Sequence, residues 1–141
     1  HQFLHPKVGQ SRIRAVIGDR DEWCLPQQVQ GHIHAIQLQG GDASFRLFAD
    51  AQHSFDRNTP VEMIGDASVS PGAPTVYIDD EGTLIDPRTS LPDKSLTERD
   101  LMLYSVKTGH GRRGAQLGSQ GDQAQAFHED MMTFWTGLFN P

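Results

Sequence analysis

Arg12-Ile13-Arg14-Ala15-Val16-Ile17, running into Gly18-Asp19-Arg20-Asp21-Glu22-Trp23, and Ser44-Phe45-Arg46-Leu47-Phe48-Ala49, running into Asp50-Ala51-Gln52-His53-Ser54-Phe55, decide the fold. The first run places four apolar residues, three of them β-branched, in six positions, the composition of a largely buried strand. The second alternates, with Phe45 and Leu47 on one face and Arg46 and Phe48 on the other. Between them Pro26 opens a helical pattern in which Val29, Ile33 and Ile36 stack at i, i+4 and i+7. Gly31 costs that helix about 1 kcal/mol relative to alanine. Gly40-Gly41 stops it, because glycine accepts the left-handed conformation that ends helices. Strand, helix and strand in this order predict a βαβ unit over 12–56 with two parallel strands.

The character changes from Arg57 to Pro92, where Gly, Pro, Ser and Asp recur at close intervals. This reads as an excursion from the sheet over 57–92. Within it Asp79-Asp80-Glu81-Gly82 separates the β-rich runs Thr75–Ile78 and Thr83–Ile85, which predicts a hairpin. The part from 97 to 141 is predicted to be helical. A short helix covers Thr97–Val106, and a longer one follows Ser119 as cap and Asp122 in the first turn. Ala124, Phe127, Met131, Phe134 and Leu138 hold one face of the second, beside Trp135.

A chain of 141 residues, 36% apolar and 21% charged, has the balance of a soluble globular domain. At this size a core needs neither a disulfide nor a structural metal. Twelve Lys and Arg against eighteen Asp and Glu leave a net charge of −6. That charge repels a phosphate backbone or an anionic bilayer, which argues against nucleic acid or membrane as a partner. No apolar run approaches the roughly 20 residues that span a bilayer. His1-Gln2-Phe3-Leu4-His5-Pro6 has neither the basic nor the apolar part of a signal peptide. Cys24, the sole cysteine, makes no internal disulfide, and the expected location is cytoplasmic. The chain opens on His1 rather than methionine, as a piece cut from a longer one does.

In parallel sheets the loops past the carboxyl ends of the strands converge on a crevice where sites form. An Asp after one strand and a His after its neighbour let a carboxylate hold an imidazole in one tautomer and stabilise its protonated form. Asp21 and His53 are therefore the candidate acid–base pair. The alternative from spacing alone makes Asp19, Asp21 and Glu22 solvated turn residues and His53 a loop histidine.

GDRDEW at 18–23, the amphipathic helix after it and FADAQHSFD at 48–56 resemble the C-terminal part of dienelactone hydrolase-like α/β-hydrolases. GAQLGSQGDQAQAF at 114–127 and EDMMTFW at 129–135 are similar as well, while the likeness is weakest from Arg57 to about Leu96. The resemblance implies an α/β fold, a partial three-layer α/β/α sandwich on a short parallel sheet, with a β-hairpin excursion. It implies one incomplete domain over 1–141. It also implies that Asp21 is the acid and His53 the histidine of a triad ordered nucleophile, acid, histidine along the chain. Such a triad hydrolyses a carboxylic ester or lactone and needs neither metal nor organic cofactor.

The chain departs from that pattern at the nucleophile. A hydrolase nucleophile sits on a glycine-flanked elbow, G-x-S-x-G. Neither that motif nor G-x-C-x-G occurs, Ser11 and Ser68 lack the paired glycines, and only twenty residues precede Asp21. Cys24, three residues from Asp21, is the substitute to weigh near His53, and packing beside Trp23 and Leu25 is its other role. Gly109-His110-Gly111-Arg112-Arg113-Gly114 matches G-x-G-x-x-G without the following strand and acid of a dinucleotide site, which leaves a loop with two solvated arginines. His32 and His34, two apart on a predicted helix, point about 200° away from each other and cannot share an ion. His1 and His5 read as frayed surface residues.

The expectation is the C-terminal segment of an ester or lactone hydrolase, inactive alone because nucleophile and oxyanion hole are absent. The competing expectation is a non-catalytic binding or assembly module that keeps the half-fold. The open edge of the Arg12–Ile17 strand invites a homodimer or a complementing N-terminal half. A small ester or lactone is the partner expected once the site is completed.

Overall fold

The structure, a computed structural model, describes residues 1–139; the last two positions of the 97–141 segment lie outside the described residues. In chain order the elements are β1 (Gln2–Phe3), β2 (Arg12–Gly18), α1 (Pro26–Leu38), β3 (Asp42–Phe48), β4 (Glu62–Val69), β5 (Tyr77–Ile78), β6 (Ile85–Asp86), β7 (Leu91–Pro92), α2 (Glu98–Lys107), β8 (Arg112–Leu117) and α3 (Gln123–Phe139).

α1 forms where its apolar stripe and its end signals agree. Pro26 stands in the first turn, where no N–H is required. At the other end Gly40, at φ 82°, donates to the Gln37 carbonyl and Gly41 to that of Ile36, the two bonds of a Schellman turn. That turn sends the chain into β3, which lies parallel to β2 in continuous register from Arg12 opposite Asp42 to Gly18 opposite Phe48. Strand parity then sorts the side chains. Ile13 and Ala15 of β2 and Ala43 and Phe45 of β3 cluster with Ile33 and Ile36 of α1. The alternate residues meet α3. Val16 and Phe48 cluster with Ala126 and Phe127, and Arg14 and Arg46 both reach Asp130. α1 thus lies on one face of a two-stranded parallel sheet and the first half of α3 meets the other, and among the described residues β2 pairs with β3 alone.

The polar contact on the α3 side is strong. Arg14 forks the two carboxylate oxygens of Asp130 at 2.9 and 2.6 Å, and Arg46 adds a bond at 2.8 Å. These bonds, that of Arg14 first, hold the Asp130 carboxyl below the usual carboxylate range against the opposing effect of burial.

The excursion differs from its expected form. Glu62–Val69 is an eight-residue strand, and the glycine-rich stretch enters a strand at Arg112 that runs antiparallel to it. The sequence hides this sheet because β4 lacks clean alternation and bulges, its register passing from Ile64 opposite Ala115 to Ser68 opposite Arg113. Its stability comes from a partner distant in sequence rather than from local propensity. The predicted hairpin is reduced to one antiparallel bridge between Ile78 and Leu84. The Asp79 carboxylate accepts from the N–H groups of Glu81 and Thr83 and closes the turn together with backbone bonds from Asp79 to Thr83 and from Gly82 to Asp79. Tyr77 and Ile78 pair in parallel with Gln2 and Phe3, while Ile85–Asp86 turns back onto Leu91–Pro92.

α2 begins after Thr97 because Thr97 is its cap. The hydroxyl accepts from the Asp100 N–H and the Asp100 carboxylate accepts from the Thr97 N–H. Ser119 does not cap α3 as predicted; its hydroxyl donates to the Arg57 carbonyl at 2.6 Å, tying the start of the excursion to the end of β8. The apolar face of α3 is covered mainly near its start, where Ala124 is buried and Phe127 meets Phe55 edge-on. Farther along, Met132, Trp135 and Phe139 are exposed.

Candidate acid–base site

Gly18 ends β2 against the chain that follows β3. The N–H groups of Asp19 and Arg20 donate to the carbonyls of Phe48 and Ala51, both at 3.0 Å, and Ala51 is completely buried. The two loops past the strand ends are therefore one backbone-bonded unit. Arg20 adds an ion pair to Asp50 at its surface. Asp50, at φ 54°, and Ser54, at φ 58°, take the left-handed conformation on either side of His53, at a cost of about 1 kcal/mol or more each. Side-chain amides just before and at the start of α3 help hold that backbone, Gln120 donating to the Asp50 carbonyl and Gln123 to that of Ala49. The His53 carbonyl accepts from the Gly118 N–H at 2.8 Å. Gly118 has φ 113°, and a Cβ there would lie 2.3 Å from the Pro60 carbonyl oxygen, so only glycine brings the end of β8 this close.

On this frame His53 Nδ1 lies 2.9 Å from Asp21 Oδ2 and 3.2 Å from Oδ1. Oδ1 also accepts from the N–H groups of Trp23 and Cys24, each at 2.9 Å. A carboxylate can only accept, so Nδ1 donates in this bond, and in the neutral imidazole that leaves the lone pair on Nε2. The Asp21 side chain is 8% exposed and that of His53 33%, which withdraws the acid from water and leaves the base accessible. The Trp23 ring packs on the imidazole with centroids 4.8 Å apart. An open polar cleft of about 450 Å³ borders Asp21, with Asp19, Arg20, Glu22, Gln52 and Gln116 also among its lining. Among the described residues no hydroxyl is hydrogen-bonded to His53.

Cys24 is brought to the pair but not prepared for attack. The residue is exposed, yet partial burial of its thiol and the neighbouring Asp21 charge push its pKa up, the reverse of an activated nucleophile. Asp21, Cys24 and His53 each offer a ligand atom within 4.8 Å of the others, a donor set suited to a soft divalent cation. Tetrahedral zinc holds its ligands about 3.5 Å apart, so a cation taken between these atoms would have to spread the His53–Asp21 pair beyond its 2.9 Å bond.

The other histidines lie apart from this site. α1 leaves His34 exposed and His32 half-buried, and burial lowers the pKa of His32, whose Nδ1 is buried without a partner. His1 meets Glu98 and His5 meets Asp80 at the surface. Arg112 and Arg113 are exposed, but Arg112 pairs with Glu22 and so links β8 to the Asp21 loop. Sequence reasoning missed that link, the Trp23–His53 stack and the role of Gly118. The signal available was a large aromatic two residues after the acid.

No protein-family model, curated protein or solved structure matches the chain. Among the described residues no helix is long and apolar enough to cross a membrane.

Proposed function

We propose that Asp21 and His53 are the acid and base of an ester- or lactone-hydrolysing site of the dienelactone hydrolase type. The observation that carries this reading is the 2.9 Å bond from His53 Nδ1 to an Asp21 carboxylate that two backbone N–H groups hold in place. In this role His53 Nε2 takes the proton of a nucleophile as it attacks the carbonyl carbon. The resulting imidazolium, stabilised by Asp21, gives that proton to the leaving oxygen. The same base then deprotonates the water that releases the acid and restores the nucleophile. This chemistry requires no metal or organic cofactor.

The nucleophile and the oxyanion hole are to be supplied outside these residues, since the sequence carries no elbow motif. The corresponding fold is a partial three-layer sandwich to which β2, β3, α1 and α3 contribute. The open edge of β2 and the exposed end of α3 support completion by an N-terminal half or a second copy. A cytoplasmic location accords with the lone cysteine.

Nitrogen-resolved NMR tests the pair directly. Neutral His53 is expected to carry its proton on Nδ1, and Asp21→Asn is expected to shift it toward the Nε2 tautomer. An Nε2-protonated His53 in the unaltered protein would overturn the pair. Alone, the chain is expected to hydrolyse p-nitrophenyl acetate no faster than buffer; turnover that disappears in His53→Ala would overturn the incomplete site.

A non-catalytic assembly module is the second reading, favoured by the exposed Met132, Trp135 and Phe139. It predicts a dimer in light scattering that Trp135→Glu dissociates.

A further inference from the structure

Beside the acid–base pair lies a smaller pocket, more apolar than the cleft, that this chemistry has not yet used. It measures about 210 Å³, between the loop after β2, the Ser70–Val76 segment and α2, with Leu25, Pro74, Val76, Leu101 and Tyr104 among its walls. Trp23 is the wall it shares with the site, since the same indole stacks on His53. Glu22 and Leu25 border both the pocket and the polar cleft, so the two spaces adjoin.

Size and polarity narrow what fits. A dry cavity of about 150 Å³ lined by Leu, Ile and Phe admits benzene. The larger space here admits a phenyl ring with a few further atoms, or a short carbon chain. Its polar lining comprises Glu22, Gln28, the paired His1 and Glu98, and two hydroxyls, with Ser105 buried and its oxygen 2.7 Å from that of Ser70. One of their two protons is used between them and the other remains to donate. Beside the buried Ser105 a hydroxyl left undonated is costly, which favours a ligand bearing one acceptor. The Thr97 capping box fixes the start of α2, and the Glu22–Arg112 ion pair ties the loop after β2 to β8.

We infer that this pocket is the subsite for the apolar group of the substrate, a phenyl-sized ring or a chain of similar volume carrying one hydrogen-bond acceptor. The inference rests on the Asp21–His53 reading, because that reading makes a ligand one indole away from His53 an ester or lactone. The polar cleft is left for water and the departing group.

The test uses acetophenone, which has the ring and the acceptor but no scissile bond, added to the labelled chain. Saturable shifts are expected at the Trp23 indole and the Leu101 and Ser105 amides, with butanone at least tenfold weaker. Ala73→Leu, which adds bulk to a lining loop residue, is expected to weaken acetophenone at least tenfold. Ser70→Ala is expected to weaken acetophenone several-fold while leaving ethylbenzene unchanged. Shifts confined to other surfaces, or affinity indifferent to both variants in folded protein, would overturn the pocket. Binding that persists while His53 proves to be protonated on Nε2 would overturn the catalytic assignment, and with it the substrate role, but not the ligand site.

Discussion

Gly18 passes so near Ala51 that a Cβ built on it would lie 2.1 Å from the Ala51 carbonyl oxygen and 2.9 Å from the Ala51 Cβ. No flexible side chain can yield at that point, so the backbone of the His53 loop has to move. Gly18→Ala is expected to cost about 3 kcal/mol and to weaken the His53–Asp21 bond. Urea unfolding reads the first effect and the His53 nitrogen shifts the second. An unchanged midpoint would mean that the two loops are not coupled.

Asp130 fastens α3 to the sheet through Arg14 and Arg46. Asp130→Asn is expected to lower stability by about 2–3 kcal/mol at neutral pH, the scale of lost charge-assisted bonds in a largely buried cluster. Because the folded carboxyl is held below its unfolded value of about 3.9, this contribution is complete above roughly pH 4. It disappears as the pH falls through the folded value. Denaturant midpoints of the two proteins should therefore converge in acid.

His32 gives a slope of opposite origin. Burial favours its neutral form in the folded chain, so below about pH 6.5 the unfolded chain takes up the proton first. Stability is then full above that value and declines as the pH drops toward the folded pKa. Thermal melts of His32→Phe should show less loss between neutral and mildly acid pH than the unaltered protein. Parallel curves would remove His32 from the account.

Cys24 should be a slow thiol. Burial first and Asp21 second raise its pKa, so alkylation by iodoacetamide at pH 7.5 is expected to lag behind a free-cysteine peptide. Asp21→Asn removes the charge but not the burial and should speed the reaction about threefold. Alkylation as fast as the peptide's would reopen Cys24 as a nucleophile.

The βαβ unit was legible because its signals are local. An apolar strand, a stripe at helical spacing and a pair of terminal glycines agree within 12–56, and the order of the two loops alone suggested that Asp21 and His53 meet. β4 and β8 were not legible, since Gly65-Asp66 and Gly114 weaken each strand's own preference and only their pairing stabilises them. The same holds for the supports of His53. Gly118 and Gln120 reach it from the far side of the excursion, and no periodicity connects residues that distant. Ser119 had the spacing of a helix cap, but the nearby Arg57 carbonyl takes its hydroxyl.

The register of β2 against β3 carries a rule about length. Successive residues from Ile13 to Val16 and their β3 partners alternate between two different helices, so one residue inserted ahead of Phe45 would turn the Arg46 guanidinium toward the α1 face and bring an apolar side chain to Asp130. A second insertion would restore the order. Gains and losses of residues in these strands should therefore survive in even numbers, whereas the turns around Gly82 and Gly9 can absorb single ones.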